Sequence, residues 1–148
     1  MRPLILASLI AAAPAIALAD AAEDALEARA GYMKMLAMNM GTLAGMAKGD
    51  IAYDAAAATA AGDNIEALSK YTLPALFIPG TSPADGVETE ALPAVWDNSA
   101  DFAAEYVAFQ TAAAGAGAAL GAGQDALGPV LGKLGGACKA CHDDFRKE

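Results

Sequence analysis

The chain has 148 residues, enough for one domain with its own core. Its formal net charge of -9 at pH 7 argues against nucleic acid and anionic membrane surfaces as partners. Hydrophobic residues make up 56% of it and aromatics only 6%; alanine and glycine abound while valine and isoleucine are scarce, which favours helix over sheet.

The first nineteen residues read as a secretory leader. Met1 and Arg2 form a short positive start, Leu4–Ala13 is an apolar run, and Ala17, Leu18 and Ala19 end it in mostly small residues. Cleavage is expected between Ala19 and Asp20, leaving a domain over residues 20–148. As a membrane anchor the run is too short, and Pro14 interrupts it. The mature chain is expected to be soluble and exported to the periplasm, one charge more acidic for the loss of Arg2.

Four helices follow from the apolar period. The first covers roughly residues 21–48: Leu26, Met33, Met40 and Ala47 recur every seven residues, with Ala30, Ala37 and Ala44 between them. Gly49 and Asp50 end it. The second runs from an N-cap at Asp54 to Tyr71, with a stripe of Ala58, Ala61, Ile65 and Leu68. The connection "TLPALFIPGTSPADGVETEALP" carries Pro74, Pro79, Pro83 and Pro93 and cannot be helical throughout. The third helix starts near Pro93, buries Val95, Phe102, Tyr106, Phe109 and Ala113 with Trp96 beside them, and fades through "GAGAALGAG". The fourth runs from about Asp125 to the end, with Pro129 either starting its regular part or kinking it. Amphipathic helices must bury their stripes against one another, so the expected fold is all-α: an antiparallel four-helix bundle, up-down-up-down.

The fourth helix holds both cysteines of the chain and its one histidine within "GGACKACHDDF". Leu127, Leu131, Leu134, Cys138, Cys141 and Phe145 are spaced alternately four and three apart, so both thiols lie on the apolar seam. His142, four residues after Cys138, shares that face. A structural zinc site needs about four ligands, and Cys and His here total three. A thioredoxin-like pair needs a βαβ setting and a cysteine at a helix start. A disulfide within one helix is geometrically disfavoured and leaves His142 unexplained. C-x-x-C-H is instead the signature of c-type haem attachment: two thiols take the two vinyl groups and the imidazole reaches the iron. Export suits that chemistry, and a haem would fill one end of an alanine-rich bundle.

In the up-down-up-down order the start of the first helix lies beside the end of the fourth. Met33 is then the seam residue nearest the haem, and a thioether is a competent axial ligand; the alternative is core packing, as for Met40. Arg29, one turn earlier, suits a haem propionate; its alternative is a solvated helix charge.

Three stretches carry a family resemblance: "RAGYMKMLAMNMGTL", "TEALPAVW" and "GGACKACHDDFR". Over essentially the whole mature chain they resemble the class II c-type cytochromes, the cytochrome c′ family with its low-spin c-554 and c-556 relatives. The resemblance implies one covalently attached haem c, held by Cys138 and Cys141 and ligated by His142, with Arg29 near a propionate. It also implies that Thr89 and Glu90 of the long loop touch the haem and that Arg146 lies one turn after the axial histidine. The polar residue that often follows the family's first arginine is Ala30 here. Cytochromes c′ leave the sixth position empty and bind nitric oxide or carbon monoxide, whereas the low-spin relatives use a methionine matching Met33; Arg29 fits the former pattern and Met33 permits either.

The expected function is that of a periplasmic monohaem electron carrier and not an enzyme, with gas binding at an open distal site as the alternative. Redox proteins are the expected partners, with no nucleic acid or membrane. Lys133, Lys139, Arg146 and Lys147 would dock an acidic partner or simply suit a helix C-terminus. The chain is a monomer or, as the family often is, a homodimer through the first two helices.

Overall fold

The structure, a computed structural model, describes residues 14–147. The apolar run Leu4–Ala13, expected to belong to a leader, lies outside the described residues, and no helix within them is long and apolar enough to cross a membrane. The helices are α1 (Pro14–Lys48), α2 (Ala55–Ser69), α3 (Ala94–Asp97), α4 (Ser99–Ala113), α5 (Ala116–Gly121) and α6 (Leu127–Phe145). Contacts run α1 to α2, α2 to α4, α4 to α6 and α6 back to α1, closing an antiparallel four-helix bundle as expected.

Local chemistry explains most boundaries. Gly49 takes φ +81° and ends α1. Asp54 caps α2, its side chain accepting from the Ala57 N–H at 2.7 Å. Ala58, Ala61 and Ile65 are buried, Leu68 half-buried, as the stripe requires. The helix stops at Ser69, two residues early, because side chains claim its last carbonyls. The Tyr32 hydroxyl donates to Leu68 O (3.0 Å) and Gln110 Nε2 to Ser69 O (2.9 Å), while the Tyr106 hydroxyl, nearest to Tyr71 O at 2.5 Å, also lies 3.1 Å from Ser69 O. The two hydroxyls are 3.0 Å apart, so a tyrosine from α1 and one from α4 pin the end of α2 between them.

Three features differ from the sequence expectation. The buried stripe of α1 is Ala25, Arg29, Tyr32, Leu43 and Met46, one residue round from the Leu26–Met33–Met40–Ala47 line. Leu26, Met40 and Ala44 flank it half-buried, while Met33, Ala30, Ala37 and Ala47 are exposed. Turning Tyr32 inward buries a large ring and satisfies its hydroxyl, which outweighs burying small alanines. Second, the third helix is broken. Asn98 leaves the helical region at φ -118°, ψ 46°, so α3 is a separate turn that swings Val95 and Trp96 onto the end of α6. Third, "GAGAALGAG" does not fade: Gly115 at φ +71° reverses the chain and α5 packs on α2.

Pro129 stands third in α6, inside the first turn, where no backbone donor is needed. Leu127, Leu134 and Phe145 are buried and Leu131, Cys138 and Cys141 half-buried, which reproduces the expected seam. Beyond α6 the chain pairs with the long loop: Ala91 and Arg146 form an antiparallel bridge, Leu92 N–H donates to Phe145 O (2.9 Å) and Lys147 N–H to Glu90 O (2.8 Å).

Candidate cofactor site

The buried residues form two clusters. The larger one fills the middle of the bundle around Leu43, Ile65, Leu120, Leu127 and Leu134. The second lies at the end of α6 and joins Val95, Phe102 and Phe145 to Phe77, Trp96 and Cys141. Phe77, Phe102 and Phe145 follow one another edge to face at 4.9 and 5.3 Å between centroids, and Trp96 stands edge-on to Phe77 at 5.7 Å.

Both thiols are free and half-buried. Burial raises the Cys138 pKa, partly offset by a backbone hydrogen bond. Burial, then the charges of Glu105, Cys138 and Asp144, push Cys141 up to about 11. Both therefore stay protonated at neutral pH, unlike the lowered thiolate of an exchange-active pair. Burial and the charge of Arg146 lower the His142 pKa, against an opposing effect of Asp143, so the imidazole is neutral and free to act as a ligand. Burial raises the Tyr32 pKa first, followed by its hydrogen bond to Tyr106 and the proximity of Tyr106 and Cys138.

Arg29 faces the same cluster from α1. It is only 6% exposed, and its Cζ lies 4.6 Å from the Phe77 centroid and 5.8 Å from that of Trp96. Its Nη2 donates to Thr81 O at 3.4 Å, while Nη1 is buried with no acceptor. Desolvation lowers its pKa, and among the described residues no carboxylate pairs with it. Trp96 Nε1 is a second buried donor without an acceptor. A buried cation and a buried N–H left unpaired are costly unless an acceptor arrives. Cys141 on one side, with Cys138 and His142 near it on α6, and two orphaned donors across an aromatic floor fit an apolar macrocycle that carries carboxylates.

The other expected site residues lie around this cluster. Met33, one turn beyond Arg29, is 38% exposed. Thr89 is half-buried and its Oγ1 accepts from Ala91 N–H at 3.2 Å, while Glu90 is exposed and uses its backbone carbonyl to hold Lys147. Arg146 is exposed beside His142. Sequence reading passed over Phe77 and Thr81 and left Trp96 as a neighbour of a seam. The available signal was an aromatic residue within a proline-rich loop that has no stripe of its own to join.

A family model described as Cytochrome C′ matches residues 24–146. The chain belongs to the cytochrome c′ family. It is 48% identical to a cytochrome c′ of Cereibacter sphaeroides over 146 residues, covering 99% of this chain and 98% of that one. It is 38% identical to a cytochrome c-554 of the same organism, covering 100% and 99%. A solved cytochrome c′ from Rhodobacter sphaeroides superimposes with a TM-score of 0.80 at 46% identity, covering 86% of this chain and 98% of the other. The protein is a monohaem c-type cytochrome, an electron carrier whose cofactor is covalently attached haem c.

Proposed function

We propose that Cys138 and Cys141 carry the two thioether links, that His142 is the proximal iron ligand, and that Met33 supplies the distal thioether. The observation that carries this reading is Arg29: a buried guanidinium with no carboxylate partner among the described residues, across the aromatic cluster from Cys141. Haem supplies a metal that gains and loses one electron with no substrate atom transferred. The chain's own residues hold and orient it. Cys138 and Cys141 fix its rotation, neutral His142 offers a ring nitrogen, Arg29 balances a propionate, and Phe77, Phe102 and Phe145 exclude water. The bridge between Ala91 and Arg146 keeps Thr89 and Glu90 beside the last turn of α6, which supports their contact with the haem edge. The leader 1–19 is removed on export and the carrier works in the periplasm. Lys133, Arg146 and Lys147 remain as cations for an acidic redox partner, since Lys139 is already paired with Asp143.

A second reading, nitric oxide capture at an open sixth position, is favoured by the exposure of Met33 and the higher identity to a cytochrome c′ than to a c-554. A cytochrome c′ variant from Alcaligenes xylosoxidans, 34% identical, was solved as a nitric oxide complex. The ferric visible spectrum of the wild-type chain and of Met33→Ala separates the two. A low-spin spectrum that turns high-spin in Met33→Ala is expected. A wild-type spectrum already high-spin and shifted by nitric oxide would replace this reading with the second.

An open groove of about 970 Å³ runs along α1 and α2, with Met35 (48% exposed), Met38 (63%) and Tyr71 (50%) around it. These are large apolar side chains for a monomer surface. We assign this face to a homodimer; a related cytochrome c′, 29% identical with a TM-score of 0.77, is described by its ligand-controlled dimer dissociation. Sedimentation equilibrium is expected to give a dimer for the wild type and a monomer for Met38→Glu, with unchanged haem absorption.

A further inference from the structure

We infer that Trp96 is a haem-positioning residue, its indole N–H donating to the propionate that Arg29 binds. This rests on the haem reading above and adds to it a donor from a different element. Trp96 Nε1 is buried without an acceptor although the indole has only this one polar atom. Its ring lies 5.8 Å from the Arg29 Cζ, and both pack on Phe77. Thr81 O lies 3.4 Å from Nη2 of the guanidinium, while Nη1 is buried with no partner. Two unpaired donors, from α1 and α3, therefore sit on side chains that both pack on Phe77, with the guanidinium 5.8 Å from the indole centroid. One carboxylate can accept from both, because its two oxygens together offer about four lone-pair sites. The break at Asn98 has a use in this arrangement. Without it α3 would continue straight into α4, and Trp96 would not be swung toward α6 and Arg29.

The chain has one tryptophan, so its indole N–H gives a single resonance in the ¹⁵N-labelled holoprotein. That proton is expected to exchange with solvent about 10- to 100-fold more slowly than a free indole, the factor that a hydrogen bond to a charged acceptor supplies. In resonance Raman spectra, Trp96→Phe and Arg29→Gln are each expected to shift the same propionate bending band and to leave the other in place. An indole N–H that exchanges as fast as free indole would overturn the inference, and that measurement needs no variant to fold. A Trp96→Phe variant with an intact Soret band and both propionate bands at wild-type positions would overturn it too, as would shifts in two different bands. Absence of a Soret band from the wild type would instead sink the haem reading itself.

Discussion

The double variant Cys138→Ala, Cys141→Ala is expected to yield no haem that survives extraction with acidified organic solvent. The wild type keeps its full complement under the same treatment. No other cysteine exists to form a thioether. Each single variant retains one link and so holds haem with one vinyl group intact. Loss of cofactor also leaves Arg29 buried at 6% exposure with nothing to balance it. Removing one partner of a buried charge pair costs about 3–5 kcal/mol. For a domain of this length that lowers Tm by roughly 10–20 °C. An Arg29→Leu change added to the double variant is expected to recover part of the loss, since it removes the charge that the missing carboxylate leaves exposed to a low dielectric. Circular-dichroism melts of the two haem-free proteins check this. Haem that resists extraction from the double variant would show that the attachment lies elsewhere.

Residue pattern revealed some parts of this molecule more readily than others, for physical reasons. The seam of α6 was legible because Leu127, Leu134 and Phe145 are large while none of its exposed positions carries a large apolar side chain, so burial separates them strongly. The Asp54 cap was legible because a carboxylate before an alanine run has one obvious use. The α1 stripe was misplaced by one residue for the opposite reason. Alanines and methionines occur all round that helix, so apolar period alone hardly distinguishes neighbouring faces. Tyr32 and Arg29 decide the rotation, and neither belongs to the seven-residue apolar line. Their burial depends on acceptors supplied by other segments: Leu68 O for the tyrosine and Thr81 O for the arginine. The same holds for Trp96 and Phe77, whose places depend on a break at Asn98 and on loop packing that no local period encodes. In the site, "CKACH" announced its chemistry, whereas the opposite wall was assembled from residues far apart in the chain.

The packing of α5 against α2 leads to the other large effect. Gly62→Ala is expected to destabilise the bundle although alanine is the better helix former by about 1 kcal/mol. A Cβ at Gly62 would stand 2.6 Å from both Cα and N of Gly117 and 2.8 Å from the Ala116 carbonyl carbon. All three are backbone atoms, so no rotamer change relieves the clash and α5 must move as a unit. That movement strains the contacts that seat α5: Leu120 is fully buried, Tyr53 donates to Leu120 O at 2.7 Å, and Gly115 N–H donates to Glu66 Oε2 at 2.9 Å. Overpacking of this kind costs about 1–3 kcal/mol, more where backbone must shift, so a net loss of about 2 kcal/mol is expected after the helix gain. Gly117→Ala should be milder, because the nearest obstacle is the flexible carboxylate of Asp63. Gly132→Ala is the control: it lies exposed in α6 with nothing within 4 Å of its added carbon, so it should stabilise by about 0.5–1 kcal/mol. Thermal melts of the three holoproteins are expected to rank Gly132→Ala above the wild type and Gly62→Ala lowest. The haem spectrum should not change in any of them, since α2 and α5 meet away from the Cys141 cluster. A Gly62→Ala melt at or above the wild type would mean that α5 does not rest on α2 at this point.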